Sequence, residues 1–162
     1  MWAMIFCDMD GVLVDFDNSF KLKFGENPAD LPRQQRWNLV LHTPNYWVNL
    51  PPKNDAENLI NFLLKEDFQI LTGLPNCGYE KADKEKRQWV KKYLGDKVKV
   101  ICCLSKDKQN YIQNKNKDIL IDDRESNIKN WEEKGGIGIL HKSAQETINE
   151  LQKYGYGNKT LK

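Results

Sequence analysis

Apolar positions along the chain follow two different periods. Five short apolar runs stand out: Ala3 to Cys7, Phe68 to Leu71, Val98 to Leu104, Ile119 to Ile121, and Ile137 to Leu140. Their length and β-branched content predict strands. The second run ends at Thr72-Gly73, the fourth runs into Asp122-Asp123, and the fifth is entered through Gly135-Gly136. Between the runs the spacing becomes helical. Ala56, Leu59, Ile60 and Leu63 form one stripe, with Asn54 and Glu57 spaced as a capping box. Ala82, Trp89, Val90 and Tyr93 form another, stopped by Gly95. Ser143 and Glu146 open a last helix with Ile148 and Leu151 facing inward, and the chain beyond Tyr154 is expected to fray. Strand–helix alternation of this kind predicts an α/β fold with a parallel sheet.

One segment breaks the alternation. Roughly 40 residues separate the first strand from the Asn54 helix, too many for a simple βα connection. They carry Phe16, Phe20, Phe24, Trp37, Tyr46 and Trp47, and Pro51-Pro52 follows. The expected organisation is a core of residues 1–16 and 51–162 with a small helical cap at 17–50.

Composition narrows the function classes. The 162 residues carry 25 basic and 23 acidic side chains, a net charge of +2. That balance does not predict nucleic-acid binding through bulk charge. No apolar stretch is long enough to cross a membrane. The apolar start has no basic leader and no small-residue cleavage pattern, so a secretory signal is not expected and a cytoplasmic location is. Cys7, Cys77, Cys102 and Cys103 form no CxxC pair, which predicts free thiols rather than zinc or disulfides. The sequon Asn158-Lys159-Thr160 has no meaning without secretion.

The candidate chemistry sits where the strands end. Asp8 and Asp10 follow the first strand, Thr72 the second, Lys106 and Lys108 the third, Asp122 and Asp123 the fourth. In an open parallel sheet that edge binds ligands. Phosphoryl transfer needs an in-line nucleophile, a cation to screen charge, and donors for the equatorial oxygens. A carboxylate can be the nucleophile, a lysine can stabilise the transferring group, and Mg²⁺ prefers oxygen ligands. Clustered carboxylates repel one another without a cation, so a metal is expected, held by Asp8, Asp122 and Asp123.

Asp8-Met9-Asp10-Gly11-Val12, Thr72, the Lys106–Lys108 segment and Asp122-Asp123 resemble the four motifs of the haloacid-dehalogenase (HAD) superfamily. The resemblance implies a Rossmann-like α/β core with a parallel sheet and a small helical cap inserted after strand 1. It implies Asp8 as nucleophile, Asp10 as general acid and then base with its carbonyl on Mg²⁺, and Thr72 on the phosphoryl oxygens. Within the superfamily, the stretches Asp8 to Phe16, Glu85 to Gly95, Leu120 to Arg124 and Asn127 to His141 are similar to the 5'(3')-deoxyribonucleotidases. That register makes Lys108 the third-motif lysine, Lys106 a basic substrate contact, and Lys86 a lysine approaching the phosphate. It sets Phe16 against the base, with Tyr46 or Trp47 as a second aromatic from the cap. Gly73 departs from the pattern, because the family usually has Thr-Ser there; a backbone N–H could replace the missing hydroxyl.

These features imply a small phosphorylated substrate, foremost a nucleoside monophosphate, and are compatible with a homodimer. Other readings stand beside this one. The protein could act on another small phosphate ester or a nucleic-acid 3' end, or be a phospho-accepting signalling domain without turnover. The last has its acidic pair first and its phosphorylated Asp later, the reverse of the order here. The cap aromatics could simply pack the cap. The lysine-rich segments Lys81 to Lys92 and Lys106 to Lys117 read most simply as exposed helix faces. His42 and His141 receive no catalytic role.

Overall fold

A computed structural model describes residues 3–158. Every apolar run becomes a strand: β1 (Ile5–Cys7), β2 (Phe68–Gly73), β3 (Lys99–Cys103), β4 (Ile119–Asp122) and β5 (Ile137–Leu140). They form one sheet in the order β3-β2-β1-β4-β5, and every pairing is parallel. Among the described residues six helices accompany them: α1 (Phe16–Phe24), α2 (Arg33–Leu41), α3 (Ala56–Leu63), α4 (Tyr79–Leu94), α5 (Glu125–Glu133) and, after β5, α6 (Ala144–Lys153).

Side-chain alternation along the strands divides the interior. Ile5 and Cys7 of β1 join the stripes of α3, α4 and α6 on one face. Phe6, Leu71 and Leu120 point to the other face, against Ile128 and Trp131 of α5. Trp131 meets Phe6 edge-to-face at 5.3 Å. Each such fully buried large side chain contributes about 1.5–3 kcal/mol by leaving water.

The segment between β1 and α3 forms α1, a 3-10 turn at Pro28–Asp30, and α2. Its interior is aromatic: Phe16 stacks on Trp47 at 5.3 Å, Phe20 packs on Phe24 at 4.7 Å, and Tyr46 lies 5.9 Å from Phe24. Its return is sewn to the core. Trp47 N–H donates to Glu85 Oε1 (3.0 Å), and Trp89 Nε1 donates to Leu50 O (2.9 Å). Val14 and Pro52 form an antiparallel bridge where the segment leaves and re-enters.

Three local expectations change. Asn54 does not cap α3; the N-cap is Asp55, without a side-chain cap bond. Asp55 instead accepts from Ala144 N–H at the start of α6 (2.7 Å), satisfying another helix's orphan donor. Ser143 does cap α6, accepting from Glu146 N–H at 3.2 Å. The chain after Tyr154 does not fray at once, since Tyr156 packs on the core and Gly157 N–H donates to Glu66 Oε1 (2.8 Å). Lys159 and Thr160 of the sequon lie outside the described residues. The Lys106–Lys117 segment is not an exposed helix face. It begins as a 3-10 helix over Ser105–Tyr111 that turns Lys108 inward. The cysteines among the described residues are free thiols.

Candidate active site

Strand order reverses at β1, which has β2 on one side and β4 on the other. The crevice beyond the carboxyl ends at such a reversal is the natural ligand site of a parallel sheet. Asp8 leaves β1 there, and its N–H donates to Ile121 O of β4 (3.0 Å). The chain then curls tightly: the N–H groups of Val12, Leu13 and Val14 all donate to Met9 O, at 3.1, 2.9 and 2.9 Å. Gly11 adopts φ +82°, and a side chain at this position would overlap the Asp123 carboxylate. Glycine is therefore required twice, for the left-handed backbone and for the close approach.

Lys108, from the 3-10 helix after β3, is 2% exposed. Its ammonium lies 3.0 Å from Asp8 Oδ1 and 2.7 Å from Asp122 Oδ2. Asp122 is fully buried and also accepts from Asn127 Nδ2 (3.0 Å) and Arg124 N–H (2.9 Å). One ammonium thus serves two buried carboxylates. Burial, followed by the charge of Asp122, pushes the Asp8 carboxyl up to about 8 although Lys108 pulls it down. Burial works to lower the Lys108 pKa, yet Asp8 and Asp122 together raise it above the ordinary lysine value. Of the two candidate lysines, geometry joins Lys108 to the carboxylates and leaves Lys106 exposed on the cavity wall.

Asp10 and Lys86 form a second pair. Lys86 is fully buried, and its ammonium donates to Asp10 Oδ2 (2.9 Å), Thr72 Oγ1 (2.9 Å) and Gly73 O (2.6 Å). All three N–H bonds are therefore satisfied by protein. The ammonium also lies 4.4 Å from the Trp47 ring centroid. Lys86 is neither a solvated helix residue nor a lining residue of the cavity; it orients Asp10 and Thr72. Asp10 Oδ1 is buried and has no hydrogen-bond partner.

Asp8 and Asp10 open into a cavity of about 610 Å³ between the sheet edge and the α1–α2 segment. Phe16, Trp37 and Trp47 form its aromatic wall, although Phe16 and Trp47 are themselves buried and stack on each other. Tyr46 belongs to the packed cluster and does not line the cavity. Gly73 does line it, and the space a side chain there would use is occupied by Ser105 Oγ. The Ser105 hydroxyl has no protein partner among the described residues. A backbone donor next to Gly73 is already committed, because Leu74 N–H donates to Cys103 O (2.8 Å).

Asp8, Asp122 and Asp123 each present a carboxylate oxygen within 4.8 Å of the others. Asp123 lies at the rim, and partial burial plus the charge of Asp122 pushes its carboxyl up to about 6. Three carboxylates facing one lysine leave the group short of positive charge. Oxygen donors with that deficit fit a hard divalent cation.

Several residues of this centre escaped sequence reasoning. Asn127, five positions beyond Asp122, holds its carboxylate. Ser105 fills the place of a side chain at Gly73. Trp37, Arg33 and Arg36 of α2 line the cavity, as does Arg124. The dipeptide's neighbour Arg124 and the serine next to Lys106 were the available signals.

No family model matches the chain. A curated relative, the "Putative 5'(3')-deoxyribonucleotidase" of Acanthamoeba polyphaga mimivirus, is 30% identical over 141 residues, covering 72% of this chain and 61% of the relative. The chain therefore spans about three fifths of that relative's length. Among solved structures, an L-2-haloacid dehalogenase from Xanthobacter autotrophicus aligns with TM-score 0.58 at 12% identity, over 99% of this chain and 86% of that one. A hydrolase from Streptococcus pneumoniae aligns with TM-score 0.52 at 11% identity, over 93% and 98%. At those identities the structural likeness is one of fold. Chain topology and sequence likeness agree: the fold is the one seen in the L-2-haloacid dehalogenase, and the sequence resembles a 5'(3')-deoxyribonucleotidase.

Proposed function

We propose that the protein is a Mg²⁺-dependent phosphomonoesterase that hydrolyses nucleoside monophosphates, deoxynucleotides among them, through an aspartyl-phosphate on Asp8. The observation that carries this reading is the different equipment of two neighbouring carboxylates. Asp8 is held by Lys108 through Oδ1, and its Oδ2 makes no bond to protein among the described residues. Asp10 is held by Lys86 through Oδ2 and keeps a buried, unpartnered Oδ1.

In the first step Asp8 Oδ2 attacks phosphorus, the ester P–O bond breaks, and the leaving oxygen takes a proton from Asp10 Oδ1. In the second, Asp10 Oδ1 removes a proton from water as that water attacks phosphorus. The Asp8–phosphorus bond breaks, giving inorganic phosphate and free Asp8. Lys86 fixes the direction in which Asp10 presents its oxygen, and Lys108 favours the ionised form of Asp8 against its burial. Asp8, Asp122 and Asp123 would hold Mg²⁺, which when bound screens the charge of the phosphoryl group. The wall of Phe16, Trp37 and Trp47 supports a substrate with a planar base.

The test is phosphate release from deoxy- and ribonucleoside monophosphates and sugar phosphates, each with Mg²⁺ and with EDTA. Mg²⁺-dependent release from nucleotides is expected. Release from sugar phosphates alone would keep the chemistry and reject the nucleotide.

Asp10→Asn should lower turnover about 10²–10⁴-fold, the scale of lost acid–base catalysis, with little change in KM. Steady-state kinetics on the best substrate decides it.

Ser105 makes a paired prediction. Ser105→Ala should cost roughly 10-fold in kcat/KM, the worth of one hydrogen bond to a charged group. Gly73→Ser alone should do worse, because its side chain meets Ser105 Oγ. Gly73→Ser with Ser105→Ala should recover most of the activity, since Ser105 Cβ stands 3.5 Å from the added Cβ. A double variant no better than Gly73→Ser would remove the shared-site reading.

The cation has a signature independent of turnover. The Asp8 and Asp123 carboxyls are raised from 3.8 to about 8 and about 6. The folded state then binds more protons than the unfolded state between about pH 4 and 8, so these groups lower stability as pH rises through that window. A dication bound to the ionised carboxylates offsets the loss. The gain in Tm on adding Mg²⁺ should therefore be small at pH 5 and grow toward pH 8, as thermal melts with and without EDTA will show. A gain independent of pH would place the cation elsewhere.

A further inference from the structure

The cavity carries a group of cations that the proposed hydrolysis does not use. Arg33 and Arg36 enter it from α2, and Arg124 enters from the N-cap of α5. None of the three has a carboxylate within salt-bridge distance among the described residues. Arg36 is not a loose side chain. Its Nε donates to Pro28 O (2.6 Å), its Nη2 reaches Leu31 O (3.4 Å), and its guanidinium lies 5.6 Å from the Trp37 ring centroid. Arg36 feels the other two: burial lowers its pKa first, and Arg124 and Arg33 lower it further, with Asp17 opposing them. The charges acting most strongly on Asp8 are Asp122, Lys108, Asp123 and Asp10, a set with no member in common with those acting on Arg36. Arg124 also acts on Asp123, so it stands between the carboxylates and the other two arginines, and the aromatic wall lines the same cavity.

Like charges converging from the α1–α2 segment and from the core cost free energy unless an anion joins them. Guanidinium forks match phosphate oxygens in shape as well as charge. The volume of about 610 Å³ lies within the range of small-ligand sites. We propose that Arg33, Arg36 and Arg124 form a second anion subsite, which binds a second phosphate on the substrate while the first is presented to Asp8. This rests on the nucleotidase reading and deepens it. The favoured substrate carries two phosphate groups separated by a nucleoside. Two sources share that chemistry: a nucleoside 3',5'-bisphosphate, and a dinucleotide with a terminal phosphate, whose internal phosphodiester supplies the second charge.

The experiment compares the bisphosphate, the matching 3'- and 5'-monophosphates and the terminally phosphorylated dinucleotide. Each is measured as kcat/KM with Mg²⁺, and as a dissociation constant on the turnover-deficient Asp8→Asn protein by calorimetry. At least one two-phosphate ligand should exceed its monophosphate by 10-fold or more, and which one does so identifies the source. In Arg33→Gln/Arg124→Gln that ratio should fall toward one. Both side chains are exposed, so folding should survive, and thermal melts verify it. Arg36→Gln is the second variant, expected to reduce the ratio in the same way. Equal kcat/KM and equal affinity for one-phosphate and two-phosphate ligands would overturn the subsite while leaving the nucleotidase reading intact. A ratio preserved in the arginine variants would overturn it as well. If no nucleotide is hydrolysed the calorimetric ratio still decides the subsite, separating its fate from that of the proposed reaction.

Discussion

Asp8→Asn is expected to bring phosphate release below detection, a loss of at least about 10⁴-fold, in a protein that remains folded. An amide has the shape of the carboxylate but cannot form the acyl-phosphate. The fold should tolerate the change, because Asp8 is ionised only at a cost. Burial and the charge of Asp122 push its carboxyl up to about 8. The amide removes one of two anions competing for Lys108, whose 2.7 Å contact with Asp122 remains. The melting temperature at neutral pH should therefore be unchanged or raised. Turnover and a thermal melt on the same preparation decide the matter. Retained turnover would remove Asp8 from the role of nucleophile.

Lys108→Met should be the most damaging single change to both activity and stability. The side chain is buried, and methionine fits its shape without its charge. Asp8 and Asp122 would then face each other with no protein cation between them. Breaking a buried ion pair from one side costs about 3–5 kcal/mol. The penalty should depend on pH in a definite direction. At pH 5 the raised Asp8 carboxyl is protonated in parent and variant alike, and the loss is at its smallest. At pH 9, above its value of about 8 in the parent, Lys108 stabilises the ionised form in the parent alone, and the loss is larger. Urea melts at the two pH values measure the difference, and activity should fall at least about 10³-fold on the scale of lost electrostatic stabilisation. A loss that does not vary with pH would mean that Lys108 contributes packing rather than charge.

The strands were legible because burial on both faces of a parallel sheet leaves short apolar runs, broken here only by Gln69 and Lys99. Ile119 to Asp122 is buried at every position and is hard to read as anything else. The order of polar residues at strand ends was legible for the same reason, since each follows its run directly. What the linear pattern hid is partnership across distance. Lys86 sits in a helix whose other lysines are mostly exposed, and only folding shows that Asp10, 76 positions away, takes its ammonium. The motif register singles out Lys108, but only the 3-10 helix shows that it turns inward between Asp8 and Asp122. Asp55 could cap its own helix and instead serves α6, because a capping pattern specifies a donor's needs and not which chain segment meets them. Ser105 and Gly73 are 32 positions apart by numbering, and their exclusive use of one space is a fact of packing alone.

The antiparallel bridge between Val14 and Pro52 brings the two ends of the intervening segment together. Asp15 N–H donates to Pro51 O (3.0 Å) and Lys53 N–H to Leu13 O (2.9 Å), so the junction is closed from both sides. A segment whose ends already meet can be exchanged for one of different length at little entropic cost. That seam is a graft point: selection, or a protein engineer, can lengthen or exchange the stretch between Asp15 and Pro51 without reopening the core, provided the contacts of Trp47 with Glu85 and Lys86 and of Leu50 with Trp89 are kept.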